Sequence, residues 1–227
     1  MVQIPYKDDY ELIVALAVGD GHLHMQNGAK NAYLDITHSA SQEKYILWKR
    51  DLLQEAGVKS HIHYSEKINN GVTCHVCRLT TQSLPLITNV YFDLYRNKTK
   101  RMSFILDNLS EFVLSLWFMD DGSKKTKRKI RRADKTVTLL PSGYIDAFMI
   151  AVNGFSFTEA HCLSMELQHR YQIESTVQTD RGCPRISINK KQSKAIFRNI
   201  LYPYCNKDNG MDYKISGPIC VADVLKI

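Results

Sequence analysis

Two short stretches of the chain carry residues whose types and placing could do chemistry. Asp20 stands near the end of Ile13-Val14-Ala15-Leu16-Ala17-Val18-Gly19-Asp20-Gly21, and Asp121 near the end of Leu114-Ser115-Leu116-Trp117-Phe118-Met119-Asp120-Asp121-Gly122. In both, a helix-like apolar run ends in an aspartate that directly precedes glycine. One such Asp-Gly is ordinary turn chemistry, because glycine commonly follows a helix end. The arrangement repeated in one chain asks for more. A helix C-terminus carries partial negative charge, so a carboxylate there adds to an existing attraction for cations. Carboxylate and carbonyl oxygens suit Mg²⁺. Neighbouring divalent sites of this kind activate water and stabilise charge on the attacked and leaving oxygens of a phosphodiester.

Such a pair requires elements that bring two helix ends together. Ala15 and Gly19 lie four apart and so share a helix face. Small residues on one face let a second helix approach closely. Packed helix axes lie about 8–10 Å apart, a spacing of the order of the roughly 6 Å minor groove of DNA.

The rest of the chain repeats in the same order. Ser39-Ala40-Ser41-Gln42 and Ser156-Phe157-Thr158-Glu159 both read as capping boxes. Each opens an amphipathic helix, one to about Ala56 and the other to about Tyr171. Alternating strand-like runs follow, Ser60–Glu66 and Val72–Thr80 in the first half, Thr176–Asp180 and Pro184–Asn189 in the second. Gln82-Ser83 and Gln192-Ser193 each start a further helix, and isolated lysines stand in the polar turns beyond, Lys98 and Lys214. The pattern predicts two duplicated halves, residues 1–105 with the first motif at 13–21 and residues 106–227 with the second at 114–122. The expected junction is the basic segment between Tyr95 and Ser110.

Composition narrows the partner. The 227 residues contain 30 Lys and Arg against 23 Asp and Glu, a formal net charge of +7. A basic excess suits a polyanion but does not choose among DNA, RNA and an acidic membrane. No apolar stretch approaches the roughly 20 residues that cross a bilayer, and the acidic start lacks the basic, apolar build of a signal peptide. The expected setting is intracellular, in an organelle or a bacterial cytoplasm, with no membrane partner and with the six cysteines reduced. Cys74-His75-Val76-Cys77 resembles half a zinc site, yet no second Cys-x-x-Cys pair accompanies it.

The two motif stretches resemble the paired motifs of the single-chain LAGLIDADG homing endonucleases, the second being close to the Trp-Phe-Met-Asp-Asp-Gly variant of intron-encoded members. The resemblance runs from about Tyr10 to Lys214. It implies an α+β fold of two pseudo-symmetric αββαββα halves, each with an antiparallel saddle-like sheet, joined through packed motif helices. It implies metal ligation by Asp20 and Asp121 with carbonyls from Gly19 and Asp120, and active-site lysines at Lys98 and Lys214. Register with the following glycine favours Asp121 over Asp120 as the second carboxylate ligand, while the Asp120-Asp121 doublet leaves that choice open. Leu116 and Asp120 stand where the first motif has Ala15 and Gly19, so the two metal sites are expected to be unequal. The implied cofactor is Mg²⁺, with Mn²⁺ or Ca²⁺ able to substitute in binding.

The implied partner is double-stranded DNA with a long asymmetric target, cut at both strands by a monomer. Lys124, Lys125, Lys127, Arg128, Lys129, Arg131 and Arg132 form a basic run suited to phosphates, leading into an expected DNA-facing strand from Thr136 to Leu139. Base readout falls to His22, His24, Gln26, His61, His63 and Arg78 in the first half, together with the segment Asn31–Thr37 and Tyr64. In the second half it falls to Arg128, Arg131, Gln178, Thr179, Arg181, Arg185 and Ser187. Arg to guanine and Gln to adenine are the natural pairings, although alternation turns about half of any strand inward. Two competing readings use the same fold: an RNA maturase that binds its intron, with or without cleavage, and a DNA-binding regulator without catalysis.

Overall fold

The computed structural model describes residues 6–69, 71–131 and 137–219. The chain forms two compact units, one of Met1–Asp120 with Tyr204–Asp212 and the other of Asp121–Pro203 with Tyr213–Ile227. The expected junction at 105/106 falls within a short helix of the first unit.

The first unit opens with α1 (Asp9–Val18), whose N-terminus is capped by the Asp8 side chain accepting from the Glu11 N–H. Every residue from Leu12 to Val18 is buried, so this helix is apolar all round rather than along one stripe. Strands β1 (Gly21–His24) and β2 (Tyr33–Ser39) follow, then α2 (Glu43–Glu55), β3 (Ser60–Asn69), β4 (Val72–Thr81) and α3 (Pro85–Leu94). The strands form one antiparallel sheet in the order β1-β2-β4-β3. Its inner face is set by alternation: Leu34, Ile36, Cys77 and Leu79 are buried, while Tyr33, Asp35, Thr37 and Arg78 point away. A two-stranded hairpin, β5 (Tyr95–Arg96) and β6 (Thr99–Lys100), leads to α4 (Met102–Asp107) and α5 (Glu111–Asp121). Phe112 to Met119 of α5 are buried like the core of α1.

The second unit repeats the sheet. Strands β7 (Gly122–Arg131), β8 (Val137–Ala151), β9 (Thr176–Asp180) and β10 (Cys183–Ile188) pair antiparallel in the order β7-β8-β10-β9. Helices α6 (Phe157–Tyr171) and α7 (Lys191–Leu201) complete it. The identical strand order, reached from helices and strands in the same sequence, is the structural form of the duplication. Register agrees as well: Gly21 pairs with Ile36 and Gly122 with Ile150, each glycine being the first strand residue after its motif aspartate.

Local chemistry moves some boundaries. Ser156 and Glu159 form the reciprocal capping box, each side chain accepting the other's backbone N–H. Ser39 instead caps a single 3-10 turn, Ala40–Gln42, and α2 begins only after it. Helix α3 starts at Pro85 rather than at Gln82-Ser83, because proline pushes the residue before it out of the helical region and Leu84 is extended. The basic run of the second half is itself strand β7, not a lead-in to one, and Val137–Leu139 belongs to its partner β8. Thr136 lies outside the described residues.

Candidate metal centre and nucleic-acid interface

Asp20 follows α1 and its side chain is 39% exposed. Glycines hold it on both sides for steric reasons. A Cβ on Gly21 would lie 2.0 Å from the Leu16 carbonyl oxygen, and a Cβ on Gly19 would lie 2.4 Å from Oδ2 of Asp120. The small-residue face foreseen on α1 is therefore met at Gly19 by the Asp120 carboxylate of α5.

That carboxylate is an internal anchor. Its side chain is fully buried, and Oδ2 accepts the Asp20 backbone N–H at 3.0 Å. Oδ1 accepts from Tyr45 Oη at 2.8 Å and from Lys49 Nζ at 2.6 Å, both on α2. Lys49 is itself fully buried, lies 4.2 Å from the centre of the Tyr45 ring, and donates to His38 Nε2 at 3.1 Å. That bond leaves the other ring nitrogen to carry the imidazole proton, assigned here from the hydrogen-bond network. Nδ1 faces Asp20 Oδ2 at 3.5 Å. Burial by itself would raise the Asp120 carboxyl; the Lys49 charge, then His38 and the hydrogen bonds from Lys49 and the Asp20 N–H, reverse this and hold it below 3.8. Burial, then the neighbouring Asp120, drives the Tyr45 phenol well above 10.0.

Oxygen or nitrogen atoms of Asp20, His38 and Asp120 lie within 4.8 Å of one another. The Lys49 ammonium touches two members of that group, so Asp120 already has its cation. The exposed Asp20 carboxylate is the one that faces outward, and hard oxygen donors beside it suit Mg²⁺ or Ca²⁺. The end of α1 visibly gathers positive charge: Lys100 Nζ donates to the carbonyls of Val18, Gly19 and Gly21 at 3.1, 2.8 and 3.1 Å. Of this group it is the Asp20 carboxylate that fits a divalent cation.

Lys100, and not Lys98, is the lysine at these carbonyls. Asn97 and Lys98 both have positive φ, 51° and 63°, so they form the two-residue tip of the β5–β6 hairpin. Lys98 is spent at that exposed tip, whereas Lys100 returns on β6 opposite Tyr95. In the second unit Lys214, 7% exposed at the end of a 3-10 turn, donates to the Gly122 carbonyl at 2.9 Å. Each glycine after a motif aspartate thus has a lysine on its carbonyl. Asp121 is the last residue of α5 and half-buried.

The outer face of the first sheet is polar. A cavity of about 460 Å³ opens there, lined by Asp35, Thr37, His63, Ser65, Lys67, Val76 and Arg78. Asp35 accepts from Arg78 through both oxygens, at 2.6 and 2.5 Å. His22 and Gln26 are exposed and His24 half-buried, with His24 Nε2 3.7 Å from Asp35. Burial, then the charges of His24 and Lys100, lowers the His22 imidazole. His61 and Tyr64 are exposed, Tyr64 donating to Glu43.

In the second unit Lys125, Lys127, Arg128 and Lys129 are exposed on β7. Lys127 pairs with Asp146 at 2.9 Å, and Lys124 donates to the Ser216 carbonyl. β7 ends at Arg131, and Arg132 lies outside the described residues. Gln178 and Thr179 are exposed on β9, Arg181 sits in the following turn with φ 50°, and Ser187 is buried, taking the inward half of the alternation. Arg185 pairs with Asp180. Arg78 and Arg185 hold equivalent places: each lies opposite the residue after the isoleucine that pairs with the motif glycine, Thr37 and Ala151. Cys74 is exposed and Cys77 buried, so Cys-x-x-Cys on a strand presents its sulfurs to opposite faces.

Lys49, His38, Tyr45 and Lys100 were not singled out in the sequence. Lys49 left a signal: it falls among Tyr45, Ile46, Leu52 and Leu53 on the buried stripe of α2, where a cation needs an anion.

Two α+β repeats, with one sheet order and an apolar helix ending in Asp-Gly before each sheet, define the LAGLIDADG fold. The model of the LAGLIDADG DNA endonuclease family matches residues 10–196, and the chain belongs to that family. Its fold is similar to that of the homing endonuclease I-WcaI bound to its DNA recognition sequence, with a TM-score of 0.76 and 19% identity over 96% of this chain and 90% of that one. It is also similar to full-length DUF199/WhiA from Thermatoga maritima, with a TM-score of 0.55 and 12% identity over 99% of this chain and 67% of that one. At such identities the likeness speaks for the fold alone. A cytochrome b mRNA maturase bI2 from Debaryomyces hansenii is 23% identical over 178 residues, 75% of this chain and 60% of that relative. The match thus spans less than two thirds of that protein's length.

Proposed function

We propose that this chain is a site-specific endonuclease that makes a metal-dependent double-strand break in a long asymmetric DNA target and acts as a monomer. The observation that carries the reading is the repeated pairing of a motif Asp-Gly with a lysine on the glycine carbonyl, Lys100 on Gly21 and Lys214 on Gly122. Asp20 and Asp121 would hold Mg²⁺, which when bound supplies Lewis-acid activation of water and neutralises charge on the phosphate. The ammonium groups of Lys100 and Lys214 sit within reach of the same carbonyls and add positive charge there, stabilising the anionic transition state. The basic β7 strand supplies phosphate contacts, and polar residues on the outer sheet faces supply base contacts.

Cleavage by purified protein of a randomised duplex library, with Mg²⁺, tests the proposal. Asp20→Asn and Asp121→Asn should keep DNA binding and each lose the double-strand break, with one strand still nicked if the two sites act separately, because a ligand charge goes with little change of shape. Full cleavage by either variant would reject the assignment. The maturase relative favours a second reading, binding of intron RNA with or without cutting. Tight binding of intron RNA, with every duplex left intact in Mg²⁺, would select it.

A further inference from the structure

We propose that Asp120, Lys49 and His38 form a positioning assembly for Asp20 alone, so that the first metal site depends on residues for which the second has no counterpart. This rests on the reading of Asp20 and Asp121 as metal ligands. The assembly grips Asp20 twice: Asp120 Oδ2 accepts its backbone N–H at 3.0 Å, and His38 Nδ1 faces its carboxylate at 3.5 Å. Lys49 joins the two grips, donating to Asp120 at 2.6 Å and to His38 at 3.1 Å. All three side chains are almost or wholly buried, so their geometry is fixed before any metal or DNA arrives. Partners of this kind orient a ligand and set its affinity for the ion.

The duplication locates the equivalent positions in the other half. Aligning Ile36 with Ile150 by strand register places Val152 where His38 stands. Aligning the first residues of α2 and α6, Glu43 and Phe157, places Leu163 where Lys49 stands. The buried pattern agrees, since Ile46, Lys49 and Leu53 then match Ala160, Leu163 and Leu167. Asp120 itself corresponds to Gly19, which has no side chain. The three polar residues around Asp20 are therefore matched at the equivalent positions by Val152, Leu163 and Gly19. The tight contact at Gly19 is part of the device, because any side chain there would displace the Asp120 carboxylate.

The test replaces the buried charged pair with apolar side chains, in Lys49→Met/Asp120→Leu, after a thermal melt shows the variant folded. Mn²⁺ binding is followed by electron paramagnetic resonance in two backgrounds, Asp121→Asn, which retains the Asp20 site, and Asp20→Asn, which retains the other. The expected result is a roughly ten- to hundred-fold weaker Mn²⁺ site in the first background and no change in the second. Lys49→Met/Asp120→Asn keeps an acceptor for the Asp20 N–H and should recover part of the loss; it also serves if the first variant fails to fold. With an end-labelled duplex, the variant should lag more on the strand lost in Asp20→Asn than on the strand lost in Asp121→Asn. Equal weakening in both backgrounds, or none in the first, overturns the inference. A protein that binds Mn²⁺ as expected but never cuts DNA would count against the nuclease reading and still support this one.

Discussion

Gly19 and Gly21 show how much a single hydrogen in place of a methyl group decides at this site. The hypothetical Cβ at Gly21 meets a backbone oxygen, which cannot swing aside; at Gly19 it meets a side chain that Lys49 and Tyr45 hold in place. Gly28 is the contrast, with φ +79° and nothing within 4 Å of its Cβ position. Gly28→Ala should therefore cost about 1–2 kcal/mol, the strain of the left-handed backbone. Gly19→Ala should cost about 1–3 kcal/mol by overpacking, and Gly21→Ala more than either. Urea melts of the three variants would give the order, and an equal cost for all three would refute it.

Among the elements, α2 and α6 descend from one pattern and start differently. Ser156 closes a two-sided capping box, while Ser39 caps only one 3-10 turn and accepts from Ser41 N–H at a long 3.4 Å. Ser156→Ala should lower stability by about 1 kcal/mol and Ser39→Ala by clearly less, read from the denaturant midpoint at unchanged slope. The reverse order would mean that the turn before α2 is the tighter cap. Counted from the isoleucine that pairs with each motif glycine, α2 and α6 nevertheless begin at the same distance, at Glu43 after Ile36 and at Phe157 after Ile150.

The molecule as a whole carries seven net positive charges, with a basic strand beginning one residue after the second motif aspartate. If DNA is its partner, the logarithm of affinity should fall linearly and steeply with the logarithm of salt concentration. Lys129→Ala, on the exposed part of β7, should weaken binding evenly across sequences and reduce the slope by about 1. Arg78→Ala should instead relax specificity at one base pair, at about 1–3 kcal/mol of discrimination. Fluorescence anisotropy over a salt series separates the two effects. Chelating the divalent ion should abolish cleavage and leave most of the salt-dependent binding. No helix among the described residues is long and apolar enough to cross a membrane.

The sequence alone determined the duplication, the motif helices and the sheets, because those follow from local periodicity and from Asp-Gly recurring after an apolar run. It also held the expectation of unequal sites, through Asp120 standing where the first motif has Gly19. Tertiary structure decided what that difference does. Whether the Asp120 carboxylate turns outward or inward depends on Lys49 and His38, which come from another helix and another strand many residues earlier. Lys98 and Lys100 are indistinguishable by type, and only the hairpin's left-handed tip sends one into solvent and the other to the end of α1. Periodicity reports which face of an element is buried; it carries no information about which buried charge will meet which, because that pairing is made through space by elements far apart in the chain.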